Sequence, residues 1–178
     1  MTNSPSLLRF FAWFAGSKVV DAAGQPLVVF HGTDRVFAEF TIDGSETAMF
    51  VPGAHFTDSS DYAALFPKRV LDASRRIVCA YLSLQRPWMG TDRAFRALQG
   101  KVAREHGIDQ KRYGAHRVLL EKMQQALAGH DGVILQRTTT EGTSGCPVEY
   151  IAFQPGQVRI IGTIPGDGDY LLPDEPRV

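Results

Sequence analysis

Residues 26 to 33, Pro-Leu-Val-Val-Phe-His-Gly-Thr, constrain the fold more than any other stretch of the chain. Leu27, Val28, Val29 and Phe30 form an apolar run without polar alternation, which reads as a strand covered on both faces. His31, Gly32 and Thr33 follow at once. A strand that delivers an imidazole and a glycine at its end sets a hydrogen-bonding side chain beside backbone that a ligand can approach closely. A core histidine followed by a turn glycine is the plainer reading of the same residues, and His31 alone does not separate the two.

The segments before and after this strand can be placed around it. Ser4-Pro5-Ser6 followed by Leu7, Leu8, Phe10, Phe11 and Phe14 predicts a capped helix, its apolar stripe docked on the core and its end closed by Gly16. Val19 and Val20 with the turn over 21–26 predict a short strand feeding the central one. Phe37 and Phe40 predict one helical turn or an irregular segment pinned by two aromatic anchors, and 44–52 a loop. A short strand over 53–58 leads to a helix capped by Ser59 or Ser60 that carries Tyr62, Leu65 and Phe66 and stops before Pro67. Ile77 to Leu84 is the longest strand candidate.

Two amphipathic helices come next. The first, over 91–105, has Ala94, Phe95, Leu98 and Val102 on one face; the second, over 115–128, has Val118, Leu119, Met123 and Leu127. Val133 to Leu135 reads as a buried strand. The Thr-, Gly- and Ser-rich stretch 138–147 reads as a mobile loop. It runs into Glu149-Tyr150-Ile151-Ala152-Phe153, an apolar strand opened by a carboxylate. Arg159 to Thr163 is expected to pair antiparallel with that strand across the turn at 154–157. The tail beyond 164, rich in Asp, Glu and Pro, is expected to be extended or poorly ordered. The organisation is therefore one domain over 1–164 with a tail over 165–178.

Charge and cysteine usage exclude several classes of function. Nineteen Lys or Arg balance nineteen Asp or Glu, which argues against a general polyanion binder, yet 68–122 carries 13 basic against 5 acidic residues. Such a basic middle could face nucleic acid or an acidic protein, or be the solvated faces of two helices. Cys79 and Cys146 lie far apart without metal-ligand spacing, so no zinc site, no other metal and no disulfide framework is expected. The apolar stretch Leu7 to Ala15 is broken by Arg9 and is too short to cross a bilayer, so a soluble, leaderless, cytoplasmic chain with no membrane partner is expected. No GxGxxG or GxxxxGK[ST] glycine pattern is present, and Ser144 is not in a GxSxG elbow.

One block is more specific. Trp13-Phe14-Ala15-Gly16-Ser17-Lys18-Val19-Val20-Asp21, then Gly24-Gln25-Pro26-Leu27-Val28-Val29-Phe30-His31-Gly32-Thr33, closely resembles the opening of the ADP-ribosyltransferase domains found in phage and plasmid polyvalent proteins. The likeness continues in order through Phe56-Thr57-Asp58, Tyr81-Leu82-Ser83-Leu84, Asp131-Gly132-Val133-Ile134 and Glu149-Tyr150-Ile151-Ala152-Phe153, with Pro155 and Gln157 after it. The resemblance implies an α+β ADP-ribosyltransferase fold, with a split, mainly antiparallel β core, flanking helices and a cleft that takes NAD+ in a bent form.

By the same resemblance, His31 would bond the adenosine-side ribose, the Gly32 backbone would pair with the nicotinamide carboxamide, and Thr33 would line that wall. Tyr62 would stack on nicotinamide, and Phe56 would border the ring. Glu149 would contact the ribose beside the bond that breaks. The relatives carry a tyrosine before Phe-Thr-Asp; here His55 stands there, so the triad reads His-His-Glu. An imidazole can stack on a pyridinium, with less area than a phenol.

The implied activity is mono-ADP-ribosyl transfer from NAD+, used as substrate, to a macromolecular acceptor, protein or nucleic acid. Hydrolysis of NAD+ and a catalytically inactive NAD- or partner-binding module are the alternatives. Arginine-modifying transferases carry Gln or Glu two residues before the catalytic glutamate, and Pro147 in that place disfavours arginine as acceptor. Members of this group often act as toxins or effectors, which would give the chain an inhibitor or immunity protein as partner; its oligomeric state is left open.

Overall fold

The computed structural model describes residues 5–42, 51, 53–66, 75–109, 114–138 and 147–165. The expected loops over 44–52 and 138–147 fall largely outside these residues, as do the Ser4 cap, Ser144, Cys146 and the tail beyond Pro165. Among the described residues, seven strands form one sheet: β1 (Val29–Thr33), β2 (Ala54–Thr57), β3 (Arg76–Leu82), β4 (Trp88–Thr91), β5 (Gly132–Gln136), β6 (Val148–Ala152) and β7 (Val158–Pro165). Four helices flank it: α1 (Pro5–Phe14), α2 (Ser60–Ala63), α3 (Asp92–Glu105) and α4 (Ala115–Ala126). The strand order is β4-β5-β6-β2-β1-β3-β7. Every neighbouring pair is antiparallel except β4 with β5, which are joined through α3 and α4, the helical crossover that a parallel pair needs. The α+β class expected from the sequence is the one observed.

Cross-strand partners share a face, so the register shows how the core is divided. On one face, Val133, Leu135 and Ile151 pack against Phe95 of α3 and Leu119 and Met123 of α4, while Phe30, Ile77 and Cys79 pack with Ala63 of α2. On the other face, Val29, Phe56, Val78, Ala80, Ile134 and Tyr150 gather with Phe40. Strand β3 is buried along almost its whole length because β1 and β7 flank it and both its faces are covered. α1 is tied to the same end of the sheet: Trp13 Nε1 donates to the Gly156 carbonyl at 2.9 Å, and Ser83 Oγ to the Trp13 carbonyl at 2.8 Å. Gly16, at φ 80°, ends that helix in the left-handed conformation that glycine adopts most readily.

Several expectations need correction. Strand β7 does not pair with β6; it lies on the far edge beside β3, because a short 3-10 turn at Pro155–Gln157 carries the chain across rather than folding it back. β7, with 8 residues, is longer than β3 with 7. The central strand begins at Val29, two residues after Leu27, so His31 and Gly32 lie inside it and Thr33 is its last residue. Val19-Val20 makes a single bridge, Val20 to Pro26, and no strand. β4 was not expected: it is short, follows Pro87 and contains Gly90, whose Cβ position would lie 2.6 Å from the Trp88 ring. Leu8 and Phe11 of α1, Ala94 of α3 and Val118 of α4 face outward, so only part of each apolar stripe docks.

The two flanks of β6 leave no room for added atoms. A Cβ on Gly132 would sit 2.6 Å from the Ile151 carbonyl oxygen and 2.8 Å from Leu84. Gly132→Ala should therefore destabilise by about 1–3 kcal/mol through overpacking. Gly129→Ala, where nothing lies within 4 Å, should stay within about 0.5 kcal/mol of the parent in urea unfolding. Equal midpoints for the two variants would contradict this packing.

Candidate active site

The sheet is nearly parted between β1 and β2. β1 is paired along its whole length with β3, and β2 along its whole length with β6, but the two strands share one register pair, Phe30 with Thr57. Beyond it a side chain takes over from the backbone ladder: His31 Nδ1 donates to the His55 carbonyl at 2.7 Å. A carbonyl can only accept, so Nδ1 carries the proton and Nε2 of the neutral ring is left as an acceptor. The ring is boxed in by Phe37, Phe40 and Phe56, with centroids 6.2, 5.0 and 5.6 Å away. Burial among these rings, only partly offset by the bond to His55, lowers the His31 pKa and keeps the imidazole neutral. The two aromatic anchors expected at Phe37 and Phe40 thus enclose His31, in an irregular segment.

A cleft of about 370 Å³ opens at this parting. Phe30, His31 and Gly32 line it from β1, His55, Phe56 and Thr57 from β2, Tyr62, Ala63 and Phe66 from α2 and the turn after it, and Glu149 from β6. His31, Gly32, His55, Phe56, Tyr62 and Glu149, singled out from the sequence, are therefore brought together. Thr33 is not in the lining; it is buried, and its hydroxyl accepts from the Arg35 N–H. α2 is held beside the cleft by Ser59, whose hydroxyl caps the helix through the Tyr62 N–H at 3.1 Å. Asp58 fastens the neighbouring strand, with Oδ1 accepting from the Val148 N–H at 2.9 Å.

Glu149 is the second residue of β6, opposite Thr57 on one side and Leu135 on the other, and is 5% exposed. It is not the solvated strand-start carboxylate that its place in the sequence also permits. Its two oxygens are taken by different partners: His55 Nδ1 donates to Oε1 at 2.8 Å, and the Arg137 guanidinium pairs with Oε2. Burial works to raise the Glu149 pKa, but His55, by its hydrogen bond and by charge, and after it Arg137, by charge and hydrogen bond, outweigh the burial and hold the carboxyl below its ordinary value. Burial raises the Tyr62 phenol, against the pull of Arg137, whose guanidinium carbon lies 5.8 Å from the ring centroid.

Arg137, the partner of Glu149, is a site residue that sequence reasoning missed. Gln136 pairs with Val148 and Leu135 with Glu149, so Arg137 lies diagonally across from Glu149 on the same face, a relation that requires the strand register. The next residue anchors it: Thr138 Oγ1 donates to Oδ1 of buried Asp92 in the first turn of α3, at 2.8 Å, and that bond holds Asp92 below the usual carboxylate range. His55 Nε2 and Arg137 Nε are buried without a hydrogen-bond partner among the described residues. Chemically, the cleft offers an oriented anion, a neutral imidazole, and an aromatic wall, a combination suited to a ligand that is partly cationic and partly hydroxylated.

Among the described residues, no group of three or more His, Cys, Asp or Glu side chains is arranged to hold a metal ion, and no helix is long and apolar enough to cross a membrane. No curated protein and no solved structure matches the chain. A family model described as ADP-ribosyltransferase in polyvalent proteins matches residues 21–164, a span that contains β1 through β6, all of β7 but its last residue, and every residue of the cleft. The parted sheet, the His31–Glu149 cleft and this match lead to one conclusion: the chain belongs to the family of ADP-ribosyltransferase domains of polyvalent proteins.

Proposed function

We propose that the protein is a mono-ADP-ribosyltransferase that cleaves NAD+ at the nicotinamide–ribose bond and passes ADP-ribose to a protein or nucleic-acid acceptor, releasing nicotinamide and a proton. The observation that carries this reading is that His31 on β1 and Glu149 on β6, far apart in the chain, line one cleft. Breaking the glycosidic bond builds positive charge at the ribose anomeric carbon, in the oxocarbenium sense of glycoside hydrolysis. A buried, ionised carboxylate at that point stabilises the cation and polarises the incoming nucleophile. His31, Gly32 and Phe56 would bind the dinucleotide, Tyr62 would stack on the nicotinamide ring, and His55 would serve both as a wall of the ring site and, through Nδ1, as a support for Glu149.

Pro147, two residues before Glu149, argues against arginine as the acceptor. A role as a toxin or effector acting in a cytoplasm, opposed by an inhibitor protein, fits this activity. Incubation with labelled NAD+ and whole-cell lysate, with and without nuclease, identifies the acceptor by what carries the label. Free ADP-ribose as the sole product would identify a hydrolase instead, and retained NAD+ binding without nicotinamide release would identify a binding module.

Glu149→Gln keeps the shape and removes the charge. It should lower nicotinamide release by on the order of 10² to 10³ while leaving NAD+ affinity nearly unchanged. Turnover equal to the parent would remove Glu149 from the reaction.

The neutral state of His31 also makes stability depend on pH. Its folded pKa lies below its ordinary value of 6.5, so the unfolded chain takes up the proton first. Its contribution is undiminished above pH 6.5 and is lost as pH falls below that value through the lower folded pKa. In urea unfolding between pH 7.5 and 5.5, His31→Gln should lose stability less steeply than the parent as pH falls; parallel curves would contradict the assignment.

A further inference from the structure

We propose that Arg137 is a positioning residue of the transfer reaction: it supplies the fixed positive charge that keeps Glu149 ionised in a desolvated site and holds Oε2 in place. The inference rests on the reading of Glu149 as the reacting carboxylate, and goes beyond it by assigning a group that, beside His55, helps to keep that carboxylate ionised.

A carboxylate removed from water tends to take up a proton unless a charge or hydrogen bonds compensate it. The titratable groups that face Glu149 come from three elements: His55 on β2, Arg137 at the end of β5 and Tyr62 on α2, with His31 of β1 lining the same cleft. His55 gives its Nδ1–H bond to Oε1, His31 is held neutral, and Tyr62 is uncharged. Among these groups Arg137 alone carries a permanent charge.

The position of Arg137 is also fixed from several sides. Its backbone N–H donates to the Pro147 carbonyl at 3.3 Å, Thr138 beside it is tied to Asp92, and its guanidinium rests against the Tyr62 ring. Arg137 Nε is left without a partner among the described residues while a terminal nitrogen reaches Oε2, so the side chain is set for the carboxylate at the expense of its own hydrogen bonding. An incidental surface pair would have none of these restraints and would be open to water. If Glu149 were protonated, the developing ribosyl cation would lose its counter-charge.

Arg137→Gln keeps a donor and removes the charge. The rate of nicotinamide release requires ionised Glu149 and is lost as pH falls through its pKa; without the cation that pKa rises, so the loss begins at higher pH. In this variant kcat should fall by roughly 10-fold or more, KM for NAD+ should stay within about 3-fold, and the acid limb of the rate–pH profile should move upward. Arg137→Lys, which keeps the charge, should return the acid limb to its parental place. A lower KM with unchanged kcat would mean that the guanidinium obstructs the cleft, and a stationary acid limb would mean that it does not govern Glu149; either overturns the proposal.

The Glu149 carboxyl can also be titrated directly by carbon NMR in protein labelled at glutamate. Its midpoint should be higher in Arg137→Gln than in the parent, and equal midpoints overturn the proposal. A parent protein that releases no nicotinamide would defeat the proposed function alone, and the NMR titration would still decide the role of Arg137. Should Arg137→Gln fail to fold, Arg137→Lys carries the test: its midpoint should match the parent, and a raised midpoint overturns the proposal.

Discussion

The arrangement of this domain depends on the place where two central strands stop pairing. A sheet with β1 and β2 laddered throughout would close the gap from which the cleft opens. Here the ladder is reduced to the pair Phe30 with Thr57, and the His31 imidazole reaches the His55 carbonyl to satisfy a group that strand pairing would otherwise have used. Buried backbone polar groups need partners, so a parting of this kind requires a side chain able to cross it. Histidine suits the task because one ring nitrogen can donate across the gap while the other remains free to accept. The aromatic box of Phe37, Phe40 and Phe56 then keeps the ring neutral and in place.

The rest of the site follows from that parting. With β2 drawn away from β1, the far half of the sheet presents Glu149 and His55 to the same space that His31 and Gly32 reach from the near half. The helices α3 and α4 cover the far half and the small helix α2 lies against the near half, so the cleft opens between two packed regions on one face. Glu149 is stabilised as an anion in spite of its burial by His55 on one oxygen and Arg137 on the other. The site thereby joins a desolvated anion to an aromatic wall, an environment in which electrostatic interactions are stronger than in water.

Much of this was legible in the sequence because short apolar runs marked the strands and the order of the blocks matched a family. His31, Gly32, His55, Phe56, Tyr62 and Glu149 could be named beforehand, and the cleft contains all of them. Other residues in the same matching blocks prove to be structural. Asp131 accepts from the Gln85 and Arg86 N–H groups, and Gln157 braces the turn before β7 while its side chain donates to the Asp131 carbonyl. Long-range pairing was not legible: β7 lies beside β3 because the 3-10 turn at Pro155–Gln157 redirects the chain, and local pattern carries no trace of that choice. β4 was missed because four residues with a glycine among them have little strand signal. Arg137 was missed for a related reason, since its meeting with Glu149 is set by the β5–β6 register.

The central claim is that one dinucleotide engages both sides of the parted sheet at once. An NMR titration of the protein with NAD+ tests it directly, following the imidazole signals of His31 and the carboxyl signal of Glu149 in the same samples. The account predicts that both move along one saturation curve with a single Kd. Response of only one of the two, or two separate curves, would contradict it.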